Sequence, residues 1–165
     1  MPFDAPFKLG PFTCDCQGRL SPCEEADMPA FLFRWRGRCV HARIARVAAG
    51  EGRLLLEGTL GRIPSTASAP DETLRPRSFA VLRWLPQAVP RDWRVSLGAD
   101  HRVRLETATM IALPITAAAL ITEITLFLLA LDPYLALLDE GGLARVGAAA
   151  EAMRATDPAC GERSS

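Results

Sequence analysis

The chain has 165 residues, of which 49% are apolar and 23% charged, a composition that fits one soluble domain and excludes a disordered chain, collagen and a large multidomain enzyme. Its 19 basic residues balance its 19 acidic residues, so no net field draws the whole molecule to nucleic acid or to an anionic membrane. Composition by itself therefore points to no activity, and the order of predicted elements carries the argument.

The first 30 residues are predicted to form an extended arm rich in proline and cysteine, with one strand at residues 11–20. The N-terminus lacks the basic and apolar regions of a secretory signal, which predicts a cytoplasmic protein. In that reducing compartment the five cysteines of the chain need not form disulfides.

Residues 31–60 show the two-residue period of β-strands. Phe31, Phe33 and Trp35 occupy odd-numbered positions on one face of a strand. Beyond Gly37 the apolar residues fall at even-numbered positions, which indicates a hairpin turn or a bulge. A second turn at residues 49–52 leads into a strand at residues 53–60. Three strands connected this tightly are expected to be antiparallel neighbours.

A short helix and a second hairpin are predicted next. The helix begins at a Thr73 cap and ends at Pro86, with one apolar side formed by Leu74, Val81, Leu82 and Leu85. The hairpin has a turn at residues 98–100 between two alternating runs, which contain Trp93, Val95, Leu97, Val103 and Leu105.

The apolar segment from Ile111 to Leu131 is long enough to span a membrane. Its interior carboxylate, Glu123, would cost about 2.5 to 3.5 kcal/mol at mid-bilayer, which argues against a span. We predict instead an amphipathic helix from Pro114 to about Ala130, followed by a shorter helix at residues 133–138. Steps of four and three give it one buried stripe, made of Ala117, Ile121, Ile124, Leu128, Leu131, Leu135 and Leu138.

Residues 141–165 are predicted to form a short helix, up to about residue 154, and a flexible tail. Residues 31–140 then form one α+β domain with an antiparallel twisted sheet and helices on one face. An antiparallel sheet covered on one side leaves its other face to water or to a partner.

The element order resembles that of the class I type III secretion chaperones over about residues 31–140. Similar features are the strand ending Leu54-Leu55-Leu56-Glu57-Gly58-Thr59-Leu60-Gly61-Arg62-Ile63-Pro64, the hairpin at residues 93–105 and the long apolar helix containing Phe127. The N-terminal arm, the balanced charge and the C-terminal extension differ from the pattern of that family.

The resemblance implies a homodimer that holds an extended segment of a client or effector protein on its sheet, without a cofactor and without catalysis. Partner-binding candidates are Leu32, Val40, Ala42 and Ile44, provided that the face of Phe33 and Trp35 packs on the helices. The alternative is that these apolar residues complete the core. Phe79 and Trp84 are the expected dimer contacts.

Zinc binding is an alternative that rests on Cys14, Cys16, Cys39 and His41. Residues two apart on a strand point to the same side, so the two pairs would offer four ligands if adjacent strands brought them together. Their spacing is not that of a common zinc knuckle, and the alternative is that the cysteines are small apolar strand residues.

Nucleic-acid binding would rest on the arginines at positions 34, 36, 38, 43 and 46, which alternatively form a solvated strand face or pair with Glu57. The chain has no nucleophile elbow, phosphate loop or zinc-protease motif, so no enzyme activity is expected. A regulatory interaction module of the same fold is the other alternative to a chaperone.

Overall fold

A computed structural model describes residues 5–23, 29–65 and 72–144. Two antiparallel sheets and two helices form an α+β fold, as predicted. The large sheet has the order β4-β5-β6-β8-β7, with β4 (Ala30–Trp35), β5 (Arg38–Ala48), β6 (Glu51–Arg62), β7 (Arg94–Leu97) and β8 (Arg102–Ala112). The small sheet has the order β1-β2-β3-β9, with β1 (Phe7–Leu9), β2 (Phe12–Cys14), β3 (Arg19–Pro22) and β9 (Ile115–Thr116). The helices are α1 (Leu74–Ala88) and α2 (Ala117–Glu140).

The predicted change of parity at Gly37 is a two-residue hairpin turn. Trp35 pairs with Arg38, and the two residues between them, Arg36 and Gly37, have φ angles of 47° and 73°. Two consecutive left-handed residues make the tight turn that follows the natural twist of paired strands, and glycine adopts this conformation without steric cost. The turn therefore sets the register of β4 against β5.

The arm contains more structure than the single strand predicted for it. β1, β2 and β3 form a meander, and β3 pairs with β9 through Leu20 and Ile115. Phe12 is buried and meets Phe31 of the large sheet edge to face, with ring centroids 6.1 Å apart. The arm thus adds a second layer to the same core, since its buried side chains pack with those of the large sheet.

Helix α1 has nearly the predicted bounds. Thr73 occupies the N-cap position without a side-chain capping bond, and Pro86 lies inside the helix, which continues to Ala88. The buried Ser78 hydroxyl lies 2.9 Å from the carbonyl oxygens of both Leu74 and Gly141. This contact fastens α1 to the end of α2.

Helix α2 is one continuous helix, whereas two segments were predicted around Pro133. Leu131 and Leu135 are buried on either side of this proline, so packing against the core outweighs the lost backbone hydrogen bond. The predicted stripe is also wrong at Ile121, which is exposed, whereas Leu120 and Phe127 are buried. Two neighbouring apolar stripes were possible on so apolar a helix, and contacts with the sheets selected between them.

After α2, Leu143 is buried and Ala144 forms an antiparallel bridge with Arg62. The helix predicted up to residue 154 lies, from residue 145 onward, outside the described residues.

The turn before β8 is held by Asp100. Its carboxylate accepts a hydrogen bond from the Arg102 backbone N–H at 3.2 Å and lies 3.2 Å from the Arg104 guanidinium. The backbone bond, with the charges of Arg104 and Arg102, lowers the pKa of Asp100 below its ordinary value of 3.8. Because the folded-state pKa is depressed, this stabilisation is present above the unfolded-state pKa and is lost as pH falls through the folded-state pKa.

We therefore expect the Arg102 amide proton to shift in an acid NMR titration with a midpoint below 3.8. Asp100→Asn should abolish that transition while leaving the shifts of residues in β5 unchanged. A midpoint above the ordinary carboxyl value would contradict the assigned hydrogen bond.

Candidate binding groove

The four predicted partner-binding residues do not share an open face. Phe33 pairs with Val40 and Phe31 pairs with Ala42, so β4 and β5 place these side chains on the same, inner face of the large sheet. Val40, Ala42 and Ile44 are buried in the core, whereas Leu32 lies on the outer face and is 52% exposed. The prediction that all four residues form one binding surface was wrong. Across the turn at Gly37, the odd-numbered residues of β4 pair with even-numbered residues of β5, so Leu32 lies on the opposite face from Val40, Ala42 and Ile44.

The predicted dimer residues lie on α1. Trp84 is 51% exposed, while Phe79 is half-buried beneath the Arg75 guanidinium, which lies 5.4 Å from the ring centroid. Trp84 is thus accessible to another molecule, whereas Phe79 is only partly accessible.

The zinc candidates do not come together. Cys14 is buried in the small sheet and Cys16 follows it in an exposed turn, whereas Cys39 and His41 lie on the outer face of β5. Among the described residues, no three histidine, cysteine or acidic side chains form a group suited to a metal ion. The condition on which the zinc hypothesis rests, convergence of the two pairs, is therefore not met.

The arginine cluster is divided among different surroundings. Arg43 pairs with Glu57 at 3.1 Å on the outer face, as the alternative reading proposed. Arg36 pairs with Asp132 at 2.6 Å, and the buried Arg38 contacts both Asp139 and the Leu60 carbonyl oxygen. Since two of these arginines face the acids of α2, the cluster does not form one phosphate-binding surface.

Between positions 118 and 130, the exposed side of α2 carries no charged residue. Its large residues Ile121, Leu126 and Leu129 are 63%, 57% and 62% exposed. The other exposed residues between positions 118 and 130 are the small side chains Ala118, Ala119, Thr122, Thr125 and Ala130. Contiguous exposed apolar surface on a folded domain is characteristic of an interaction site. We call this surface, comprising Ile121, Leu126 and Leu129, the α2 face.

A groove of about 240 Å³ runs beside the α2 face, between α2 and the inner face of the large sheet. Residues from α2, from β6 and β8, and from the segment after α1 line the groove. These lining residues are Leu56, Pro90, Asp92, Trp93, Thr107, Thr109, Glu123, Leu126, Phe127 and Ala130. We call this site the α2 groove; Leu126 belongs to both the groove and the α2 face.

An aromatic cluster fixes the shape of the groove. The Trp93 ring lies 5.3 Å from Phe127 and 6.0 Å from Tyr134, measured between centroids. Tyr134 in turn donates a hydrogen bond of 2.9 Å to the carbonyl oxygen of Ala88 at the end of α1. Ring packing and this bond join α1, α2 and the Trp93 segment, so the wall of the groove is preformed.

Two carboxylates lie among these apolar walls. Glu123 is half-buried on α2 and Asp92 is exposed beside Trp93. In the described part of the chain, neither carboxylate has an ion pair or a hydrogen bond to its side chain. The groove therefore combines apolar surface with two carboxylates that no cation pairs with among the described residues.

In the sequence, Glu123 argued against a membrane span and marked a polar side of the helix, but it was not predicted to be a binding residue. Glu123, Leu126, Phe127 and Ala130 follow the helical spacing of three and four residues, so they line one side of α2. The sequence shows that spacing. It does not show that Asp92 and Trp93 also line the groove, because their position depends on how the loop after α1 folds back on α2.

By length and composition alone, α2 is the one helix in the described residues that could cross a membrane, with a mean hydropathy of 1.7. A mostly buried core helix of a soluble protein meets the same criterion; 22% of the apolar window of α2 is buried, and the helix contributes Leu131, Leu135 and Leu138 to the core. The fold is compatible with a soluble protein.

Comparison of the chain with protein-family models, with curated proteins and with solved structures found no match.

Proposed function

We propose that this protein is a non-catalytic binding module that holds an extended segment of a partner protein in the α2 groove. The observation that carries the proposal is the preformed groove, which joins the exposed α2 face through Leu126. Concave, mostly apolar surfaces with a few polar groups are the usual form of binding sites. The role agrees with the one implied by the resemblance to class I type III secretion chaperones.

The groove is needed because the α2 face alone would bind weakly. Full burial of a leucine-sized side chain contributes about 1.5 to 3 kcal/mol, and the three residues of the α2 face are already partly buried. Their remaining contribution is therefore about 3 to 5 kcal/mol in total, at the lower end of the roughly 4 to 15 kcal/mol that immobilising a partner costs. An apolar anchor inserted between Trp93 and Leu126 would supply the difference.

The outer face of the large sheet is the weaker candidate. It presents Leu32 and Met110, but Glu57 lies directly across from Glu106, and Arg43 is already paired with Glu57. A partner covering this face would have to desolvate the like charges without an apolar cavity to receive a side chain. We therefore move the proposed contact from the sheet surface, where the sequence suggested it, to the α2 groove.

The proposal includes cytoplasmic localisation and a homodimer. The exposed Trp84 on α1 supports an interface outside the groove, so that self-association and partner binding would use different surfaces.

Photo-crosslinking can test the location of the partner. With p-benzoylphenylalanine at position 126, we expect a crosslink to one protein in the producing cells, and none from position 32, whose native side chain is similarly exposed. Binding of the purified partner should then weaken at least tenfold in Leu126→Asp and stay unchanged in Leu32→Asp, measured by calorimetry.

Circular dichroism and urea unfolding of both variants serve as the folding control. Equal loss of binding in the two variants, or crosslinking from position 32 instead of 126, would count decisively against the groove.

A further inference from the structure

We infer that the segment bound in the α2 groove carries a large apolar side chain flanked by arginine or lysine. This inference rests on the proposed function and specifies the partner by its chemistry. It starts from Glu123 and Asp92, which line the groove without a compensating cation in the described part of the chain.

The positions of the two carboxylates favour a cationic partner over a neutral one. Glu123 is half-buried beside Leu126 and Phe127, and an apolar segment entering the groove would remove still more of its water. Desolvating a carboxylate without an opposite charge is unfavourable, whereas a guanidinium or ammonium group beside it compensates the loss. A partner with acidic flanks would place like charges together in a partly dry site.

The same helix already shows this chemistry within the chain. At the tip of the β4–β5 hairpin, Trp35 donates its indole N–H to Asp132 at 3.2 Å and Arg36 pairs with the same carboxylate at 2.6 Å. An aromatic residue next to an arginine thus docks on an acid of α2. Glu123 lies on the same helix and offers the equivalent acid, with Trp93 and Phe127 as its apolar neighbours.

A second copy of the chain is the competing occupant, because Arg83 and the exposed Trp84 on α1 have the same chemistry. We favour a separate protein segment, because a groove that opens along α2 suits an extended chain, whereas Trp84 projects from a helix.

The probes are two short synthetic peptides with the same central Trp-Leu pair, one flanked by arginines and the other by glutamates. We expect the arginine peptide to bind the full chain about tenfold more tightly at low salt, with the difference shrinking as salt rises. Asp92→Asn with Glu123→Gln should remove the preference, and Asp92→Lys with Glu123→Lys should reverse it. Glu106→Lys, a charge reversal on the outer face of the sheet, is the matched control and should keep the wild-type preference.

Equal binding of the two peptides, or binding of neither, would overturn this inference. Neither result would change the outcome of crosslinking from position 126, which tests the proposed function separately. Sedimentation of the wild type and of the Asp92→Lys, Glu123→Lys variant completes the test. A wild-type dimer that the double charge reversal dissociates would identify a second copy as the occupant and overturn the inference.

Discussion

Asp139→Ala is expected to destabilise the protein by about 3 kcal/mol, because it leaves the charge of Arg38 buried without its partner. The Arg38 side chain is only 2% exposed and pairs with Asp139, while its Nε donates to the Leu60 carbonyl oxygen. Removing one member of a buried pair lowers stability far more than removing one member of a surface ion pair, since the remaining buried charge cannot be hydrated again. Urea unfolding of the variant and the wild type measures the difference.

A variant that removes both charges separates this cost from general damage to the end of α2. Arg38→Met combined with Asp139→Leu should unfold at a higher urea concentration than Asp139→Ala alone, because apolar side chains in place of both partners leave no uncompensated charge. The exposed pair Arg43–Glu57 supplies the comparison, and Glu57→Ala should change the free energy of unfolding by less than about 1 kcal/mol. Similar losses of unfolding free energy in Asp139→Ala and Glu57→Ala would show that other groups compensate the charge of Arg38.

Leu135→Ala should cost about 3 kcal/mol of folding free energy, the effect of a cavity in a tightly packed core. Leu135 has no exposed surface, and it lies on the stripe of α2 that packs into the core with Leu131 and Leu138. Urea unfolding again measures the loss, and a reduced midpoint with an unchanged slope would indicate a change of stability alone.

Leu129→Ala is the matched control, since it makes the same chemical change on the opposite side of the same helix. Leu129 is 62% exposed, so its truncation should change stability by no more than about 0.5 kcal/mol. A large loss in Leu129→Ala would mean that the α2 face is covered in the protein in solution. A small loss qualifies Leu129→Ala for binding experiments on folded protein.

The exposed apolar residues of α2 are the reason for assigning the proposed function to this helix. A helix that served only the core would carry polar residues on its outward side, whereas α2 exposes Ile121, Leu126 and Leu129 there. The exposed apolar surface shares Leu126 with a groove whose walls are fixed by ring packing and whose two carboxylates have no ion pair among the described residues. Surface, shape and charge therefore coincide at one place on the molecule.

Local patterns in the sequence were sufficient for most elements of the fold. The alternation around Phe33, the shift at Gly37 and the strand at residues 53–60 predicted the β4–β5–β6 meander, because a period of two residues and a turn with two left-handed residues are local properties. The second hairpin and the long helix followed from the same kind of pattern. The arm was underestimated because strands of three or four residues carry almost no periodic signal.

The site depended on information that the sequence holds only in part. The sequence by itself determined the α+β order and the apolar character of α2, since both follow from residue type and spacing. The tertiary structure decided which side of α2 is buried, which face of the sheet holds Val40, Ala42 and Ile44, and where Asp92 and Trp93 meet Glu123. The physical reason is that burial is a property of contacts between distant segments. A helix with two apolar sides or a strand with apolar residues of both parities is resolved only by what packs against it.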